Sequence, residues 1–110
     1  MIIYEQNFKK YGLSPTQLEI LRIVGKNKVV LEVGPSAGYM TEAFLDNDCT
    51  VDVVEINKEA VLKIPKKTRK IFHDSIENRE IYDMLGRDYE FIIMADVLEH
   101  LVNPKEISTM

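Results

Sequence analysis

The spacing of apolar residues alternates along the chain between a pattern typical of helices and one typical of buried strands. Residues 29–33 and 49–56 are almost continuously apolar and rich in β-branched residues, as strands covered on both faces of a parallel sheet are. A shorter strand is expected at 69–73, and a fourth, buried strand should end at Ala95. Helical spacing in the intervening segments predicts that helices and strands alternate.

Helix boundaries are marked by capping residues. Ser14 precedes Pro15, and Gln17 follows two residues later, a sequence typical of a helix start with a capping box. Gly25 is the expected end of that helix. Similar signals predict helices at 39–45, at 58–64 behind an Asn57 cap, and at 76–85.

This order of elements predicts a three-layer α/β fold built on a parallel sheet. The 110 residues are enough for one domain, and 45% apolar with 29% charged residues is ordinary for a globular chain. No apolar run approaches the ~20 residues that span a bilayer, and the first residues lack the features of a signal peptide. A cytoplasmic location is therefore expected.

Charge and cysteine content narrow the possible functions. A net charge of −4 argues against a nucleic-acid surface over the whole molecule. Cys49 is the single cysteine, so it forms no intramolecular disulfide and is expected to be a small core residue. One basic cluster lacks interleaved aromatic residues and is predicted to be a solvated loop, with an anion contact as the alternative: Lys63, Lys66, Lys67, Arg69 and Lys70.

The first strand leads into a turn of small residues, Gly34 to Gly38. Glycine adopts positive φ readily and lets a ligand approach backbone N–H groups without a Cβ in the way. The helix that follows directs its positive dipole end toward the same turn. A ligand is therefore expected at the carboxyl end of this strand.

The pattern Glu32-x-Gly34-x-Ser36-x-Gly38 resembles the acidic-x-Gly-x-Gly-x-Gly turn of class I S-adenosylmethionine-dependent methyltransferases, with Ser36 in place of the middle glycine. The resemblance implies that these residues bind S-adenosylmethionine (SAM). It also implies that the amino end of the following helix faces the carboxylate of the cofactor's methionine. A nicotinamide-dependent enzyme is the competing interpretation, and the spacing of Gly34 and Gly38 argues against it.

Acidic residues follow the second and third predicted strands. Glu55 lies about 20 residues after Gly34, where dinucleotide-type folds hold ribose hydroxyls with a carboxylate. Asp52 is the competitor, but it lies inside the strand. The resemblance implies that Asp74 and Ser75 bind the adenine, although Asp74 could equally be the N-cap of the next helix.

The segment Asp96-Val-Leu-Glu-His-Leu closely resembles the run after strand four in small-molecule and related methyltransferases. Asp96 is a candidate for both cofactor binding and catalysis, and His100 is a candidate general base because its ordinary pKa is near neutrality. A structural contact in the loop is the alternative role for His100. A metal site with Glu99 and His100 is disfavoured, because further histidines are missing, and no metal is expected.

The resemblance implies a Rossmann-like sheet of order 3-2-1-4 that lacks the family's usual C-terminal strands, so residues 1–110 would form a single, partial domain. Residues 1–13 are expected to be a cover for the core or a lid. An open fourth strand predicts a homo-oligomer through that edge. The methyl acceptor is expected to be a small molecule with a nucleophilic O, N or C. The alternative function is an inactive methyltransferase remnant that binds the cofactor or serves in assembly.

Overall fold

A computed structural model of the chain describes residues 12–35 and 38–94. In chain order the elements are helix α1 (Pro15–Val24), strand β1 (Val29–Val33), helix α2 (Tyr39–Asp46), strand β2 (Thr50–Val54), helix α3 (Lys58–Lys63), strand β3 (Lys70–Phe72), a 3₁₀ helix (Arg79–Asp83) and strand β4 (Phe91–Ile93). Within these residues, no helix is both long enough and apolar enough to cross a membrane.

The four strands form one parallel sheet in the order β3-β2-β1-β4. In the observed register, Val30 lies between Val51 of β2 and Phe91 of β4. This arrangement confirms the predicted α/β, Rossmann-like topology. Because all four strands run the same way, their carboxyl ends meet at one edge of the sheet.

Two apolar clusters cover the two faces of the sheet. On one face, α1 and α2 pack against alternate residues of β1 and β2, and Leu13 and Cys49 are buried with them, as expected for Cys49. On the other face, Leu31, Val33 and Val54 pack with the chain around the 3₁₀ helix. The result is the predicted three-layer arrangement.

The predicted helix caps at Ser14 and Asn57 are confirmed. The Ser14 hydroxyl accepts from the Gln17 amide at 3.2 Å, and the Gln17 side chain accepts from the Ser14 amide at 2.9 Å. The Asn57 side chain accepts from two amides of the first turn of α3. Both caps satisfy N–H groups that a helix leaves without partners at its start.

The prediction of an α-helix at 76–85 is wrong. The segment contains a short 3₁₀ helix, and its N-cap is Asn78 rather than Asp74. Asp74 and Ser75 instead bond to nearby amides and to the Asn78 side chain. Such local side-chain bonds compete with the regular ladder of an α-helix.

The fourth strand is only partly buried, in contrast to the prediction. Phe91 and Ile93 pack against the α1–α2 side, whereas Ile92 points to the other face and is 56% exposed. A continuous apolar run does not distinguish a covered strand from one that borders an uncovered face. β4 ends at Ile93, two residues before the predicted end at Ala95, and residues 1–11 of the predicted cover segment 1–13 lie outside the described residues.

Candidate functional site

Three of the predicted site residues follow neighbouring strands at the carboxyl edge of the sheet. The Gly34 amide donates to the Val54 carbonyl at 2.8 Å, so the ladder between β1 and β2 continues to the turn. The Glu55 amide donates to the Phe72 carbonyl at 2.9 Å and joins β2 to β3 in the same way. Gly34, Glu55 and Asp74 are therefore brought to one edge of the sheet.

Both glycines of the turn have left-handed backbone conformations. Gly34 has φ 71° and Gly38 has φ 82°, a region that side chains with a Cβ disfavour. A Cβ on Gly38 would also lie 3.1 Å from the Lys63 carbonyl oxygen and 3.2 Å from the Pro65 ring. Gly38 is therefore required by packing against the end of α3, a reason that the sequence pattern did not indicate. Ser36 lies outside the described residues.

Glu32 is the acidic residue inside β1 and is 3% exposed. Its Oε1 accepts a hydrogen bond from the Thr41 hydroxyl of α2 at 2.5 Å. A buried carboxylate requires such partners, because the interior solvates charge poorly. Glu32 thereby connects the strand before the turn to the helix after it.

A cleft opens beside Glu32 at the ends of β1 and β4. Its walls combine two polar side chains with apolar ones: Gln17 and Ile20 of α1, Glu32 and Gly34 around the end of β1, Met40 of α2, and Ile93 of β4. Sites for small molecules commonly combine apolar walls with a few placed polar groups. The cleft lies at the point where the strand order reverses, between β1 and β4, which is the usual ligand position in open α/β sheets.

Glu55 is buried at the end of β2. Its Oε2 accepts from the Asn57 amide at 2.9 Å, which holds the carboxylate close to the start of α3. Ile56, the next residue, is 68% exposed and presents an apolar side chain at the same edge. Sequence reasoning had not singled out Ile56.

Asp74 and Ser75 form a compact loop after β3. The Asp74 carboxylate accepts from the Ser75 amide at 2.7 Å and from the Asn78 side chain at 2.9 Å. His73, at the strand end, is exposed, and its Nε2 lies 3.1 Å from the Ile56 carbonyl oxygen. The loops after β2 and β3 are thus joined directly beside Glu55.

Asp52, the competitor of Glu55, is fully buried inside β2 and serves the fold. Its carboxylate receives two bonds from Arg69, at 2.9 and 3.0 Å, and one from the Tyr89 hydroxyl at 2.6 Å. Arg69 also bonds to Asp88 at 3.0 and 3.1 Å. All five residues of the basic cluster are exposed, as predicted, but Arg69 is also fixed by these ion pairs to Asp52 and Asp88.

The charges of this network shift the pKa values of its members. Hydrogen bonds to Asp52 and Asp88 raise the pKa of Arg69, and the bond from Arg69 lowers the pKa of Asp88. Burial, followed by the bond to Asp52, raises the pKa of Tyr89 to about 12. Together, these shifts describe a paired structural cluster rather than a group prepared for proton transfer.

The candidate catalytic residues Asp96 and His100 lie outside the described residues, as does Glu99. Among residues 12–35 and 38–94, no group of His, Cys, Asp and Glu side chains is arranged to hold a metal ion. The described site therefore consists of backbone groups, carboxylates and apolar side chains.

A parallel sheet of order 3-2-1-4, with a glycine turn after β1 and acids after β2 and β3, defines a Rossmann-like α/β protein. The sequence profile of a methyltransferase-domain family matches residues 6–109. The chain belongs to this methyltransferase family. No curated protein matches the chain in a sequence search.

Proposed function

We propose that the protein is a SAM-dependent methyltransferase that binds its cofactor across the carboxyl ends of β1 and β2. Membership of the methyltransferase family supports this proposal. The observation that carries it is that the buried Glu55 directly follows Val54, whose carbonyl accepts from the amide of the left-handed Gly34. This is the arrangement by which such sheets bind a ribose and the group attached to it.

Glu55 is proposed to accept hydrogen bonds from the two ribose hydroxyls. Its carboxylate is already oriented by the Asn57 amide, so little conformational freedom is lost on binding. Each bond from a hydroxyl to a carboxylate contributes about 1.5–3 kcal/mol. Glu55 should therefore be the strongest single determinant of cofactor affinity among the described residues.

The adenine is proposed to lie between the loops after β2 and β3. Ile56 offers an exposed apolar side chain for one face of the ring. The Asp74 oxygens each accept one bond within their loop, and a carboxylate oxygen has capacity for a second. Asp74 is therefore proposed to accept from the exocyclic amine of the adenine, and a backbone N–H beside it to donate to a ring nitrogen.

The methionine part of the cofactor is proposed to lie at the glycine turn, with its sulfonium near the cleft beside Glu32. Glu32 and Gly34 line that cleft, and a carboxylate complements the positive charge of a sulfonium. The amino end of α2 carries no side-chain cap because its N-cap is Gly38, which leaves it suited to a carboxylate ligand. Gly34, Ser36 and Gly38 are the proposed backbone contacts.

SAM, when bound, supplies a methyl group on an activated sulfur. A nucleophilic O, N or C of the acceptor would form the new bond to the methyl carbon, while the carbon–sulfur bond breaks and its electron pair returns to sulfur. The acceptor's proton, where it has one to lose, would pass to His100, to Asp96 or to solvent. Because the methyl group is already activated, the main contribution required of the protein is to orient the acceptor toward it.

Isothermal titration of SAM and of S-adenosylhomocysteine into the purified chain tests the proposal. We expect binding near micromolar, about −8 kcal/mol, and a loss of roughly 30-fold or more in Glu55→Gln. Glu19→Gln is the matched control, because Glu19 lies on α1 in an exposed ion pair with Arg22. Its affinity should equal that of the wild type.

An assay of methyl transfer distinguishes the second candidate function, an inactive remnant, from an active methyltransferase. Binding of SAM without turnover across a panel of small-molecule acceptors would support a binding or assembly role. Absence of binding to a folded chain would contradict the SAM proposal.

A further inference from the structure

We infer that Thr41 is a positioning residue for the proposed cofactor site, acting through Glu32. The inference rests on the proposed function. Its basis is a hydrogen bond between two buried side chains on opposite sides of the glycine turn. Nothing in the sequence motif indicates a role for Thr41.

The geometry isolates this bond from solvent. Thr41 lies in the first turn of α2 and is 0% exposed, and Glu32 is 3% exposed. The Thr41 hydroxyl donates to Glu32 Oε1 at 2.5 Å. A hydroxyl that donates to a carboxylate in a water-excluded interior makes a stronger and more directional contact than one at the surface.

Besides the burial of Met40 in the core, the start of α2 is held by backbone hydrogen bonds and by the bond to Glu32. Its N-cap is Gly38, which has no side chain with which to cap the helix. The Gly38 amide donates to the Pro35 carbonyl at 3.2 Å, so the turn is closed by a backbone bond. The Thr41–Glu32 bond is a buried polar contact between the first turn of α2 and β1.

The same bond orients Glu32 in the cleft. Glu32 lines the cleft together with Gly34, and one of its oxygens is directed toward α2 by Thr41. Loss of the hydroxyl would remove a bond that orients the carboxylate and that links α2 to β1 across the glycine turn. That loss should weaken binding of a sulfonium compound, although Thr41 itself need not touch the ligand.

Two substitutions distinguish the effect of the Thr41 hydroxyl from the effect of the volume of its side chain. Thr41→Val keeps the shape and removes the donor, whereas Thr41→Ser keeps the donor. Titration of SAM should give about tenfold weaker binding to Thr41→Val, equivalent to about 1.4 kcal/mol. Thr41→Ser should remain within about twofold of the wild type, since the charge-assisted bond is retained.

Thr68→Val is the matched control. Thr68 is also buried, precedes β3 at the opposite edge of the sheet, and its hydroxyl has no hydrogen-bond partner within residues 12–35 and 38–94. The same chemical change should leave SAM affinity unchanged there. Thermal unfolding of each variant verifies that it is folded at the temperature of the titration.

A double-mutant cycle tests whether Thr41 acts through Glu32. In a Glu32→Met background, which has no oxygen to accept from the Thr41 hydroxyl, Thr41→Val should cause no further loss of affinity greater than about twofold. Equal losses in both backgrounds would overturn the inference, because Thr41 would then act by packing alone. Equal losses in Thr41→Val and Thr41→Ser, or no loss in either, would overturn it as well.

Amide hydrogen exchange distinguishes failure of this inference from failure of the proposed function, since it requires no cofactor. Exchange at Gly38 and Glu42, whose amides bond to Pro35 and Gly38, should be faster in Thr41→Val than in Thr41→Ser and the wild type. Identical exchange rates in all three proteins would contradict the inference that Thr41 stabilises the start of α2. Absence of SAM binding by the wild type, together with the expected exchange pattern, would overturn the proposed function alone.

Discussion

Asp52 is a carboxylate in the middle of a strand, and its burial is compensated by two side chains. Arg69 supplies two parallel bonds, and the Tyr89 hydroxyl supplies a third at 2.6 Å. The Gly86 amide in turn donates to the Tyr89 oxygen at 3.0 Å. Tyr89 therefore stabilises the fold in its protonated form, because only that form can donate a hydrogen bond to Asp52.

The stability of the protein should fall at alkaline pH through Tyr89. Its pKa is raised from 10.0 to about 12 in the folded chain, so the unfolded chain loses the proton first as the pH rises. The stabilisation that protonated Tyr89 contributes is fully present below pH 10 and is lost between pH 10 and 12. Because Tyr89 is partly solvated, we expect the wild type to lose only about 1 kcal/mol more than Tyr89→Phe in this window.

Urea unfolding at several pH values between 9 and 12 measures this difference. Tyr39→Phe is the control, since Tyr39 is exposed on α2 and has no comparable partner among the described residues. The free energy of unfolding of Tyr39→Phe should depend on pH as that of the wild type does. The same pH dependence in Tyr89→Phe and the wild type would contradict the role assigned to the hydroxyl.

At the scale of the elements, Arg69 ties together segments that are distant in sequence. It lies directly before β3, bonds to Asp52 within β2, and bonds to Asp88 shortly before β4. The network therefore holds the start of β4 against the sheet, while Gly34 and Glu55 extend the ladders at the other end. The positions of the strands at both edges depend on these contacts.

Arg69→Met should destabilise the protein by about 3 kcal/mol, because Asp52 would remain buried without its cationic partner. Arg22→Met is the matched control, since Arg22 forms an exposed pair with Glu19 whose contribution should be below about 0.5 kcal/mol. The free energy of unfolding in urea measures both variants. Similar losses at the two positions would contradict a special role for the Arg69 network.

At the scale of the whole molecule, β4 is one of the two strands, with β3, that have a single pairing partner among residues 12–35 and 38–94. Within the described residues it pairs with β1 alone, and Ile92 is 56% exposed beside it. Unpaired N–H and C=O groups next to an apolar side chain favour pairing with another chain. The homo-oligomer predicted from the sequence therefore remains a proposal, with Ile92 as its testable contact.

Light scattering coupled to size exclusion should show a dimer or larger assembly for the wild type. Ile92→Lys should shift it to the monomer, because a charge at the edge opposes pairing. Ile23→Lys is the control: Ile23 is 58% exposed on α1, so the same substitution there should leave the assembly intact. A monomeric wild type, or equal effects of the two lysines, would contradict assembly through this edge.

Sequence patterns predicted the features that depend on neighbouring residues. The alternation of β-branched runs and capped helices indicated the parallel sheet, and Ser14 and Asn57 were correctly identified as caps. The distance from Gly34 to Glu55 indicated which acid ends the second strand. These properties follow from local conformational preferences and from the rule that parallel strands present their carboxyl ends together.

Only the tertiary structure decided how side chains distant in sequence are paired. Arg69 lies in a lysine-rich segment that is typical of a solvated loop, yet it forms an ion pair with the buried Asp52. Thr41 is an ordinary helix residue until the fold brings it to Glu32, and Ile92 belongs to an apolar run whose exposure depends on what covers β4. The sequence by itself determined the order of the elements and the edge of the sheet at which the candidate site residues lie. The partners of the buried charges came from the packing of the layers, because burial makes each charge depend on whichever polar group the fold places beside it.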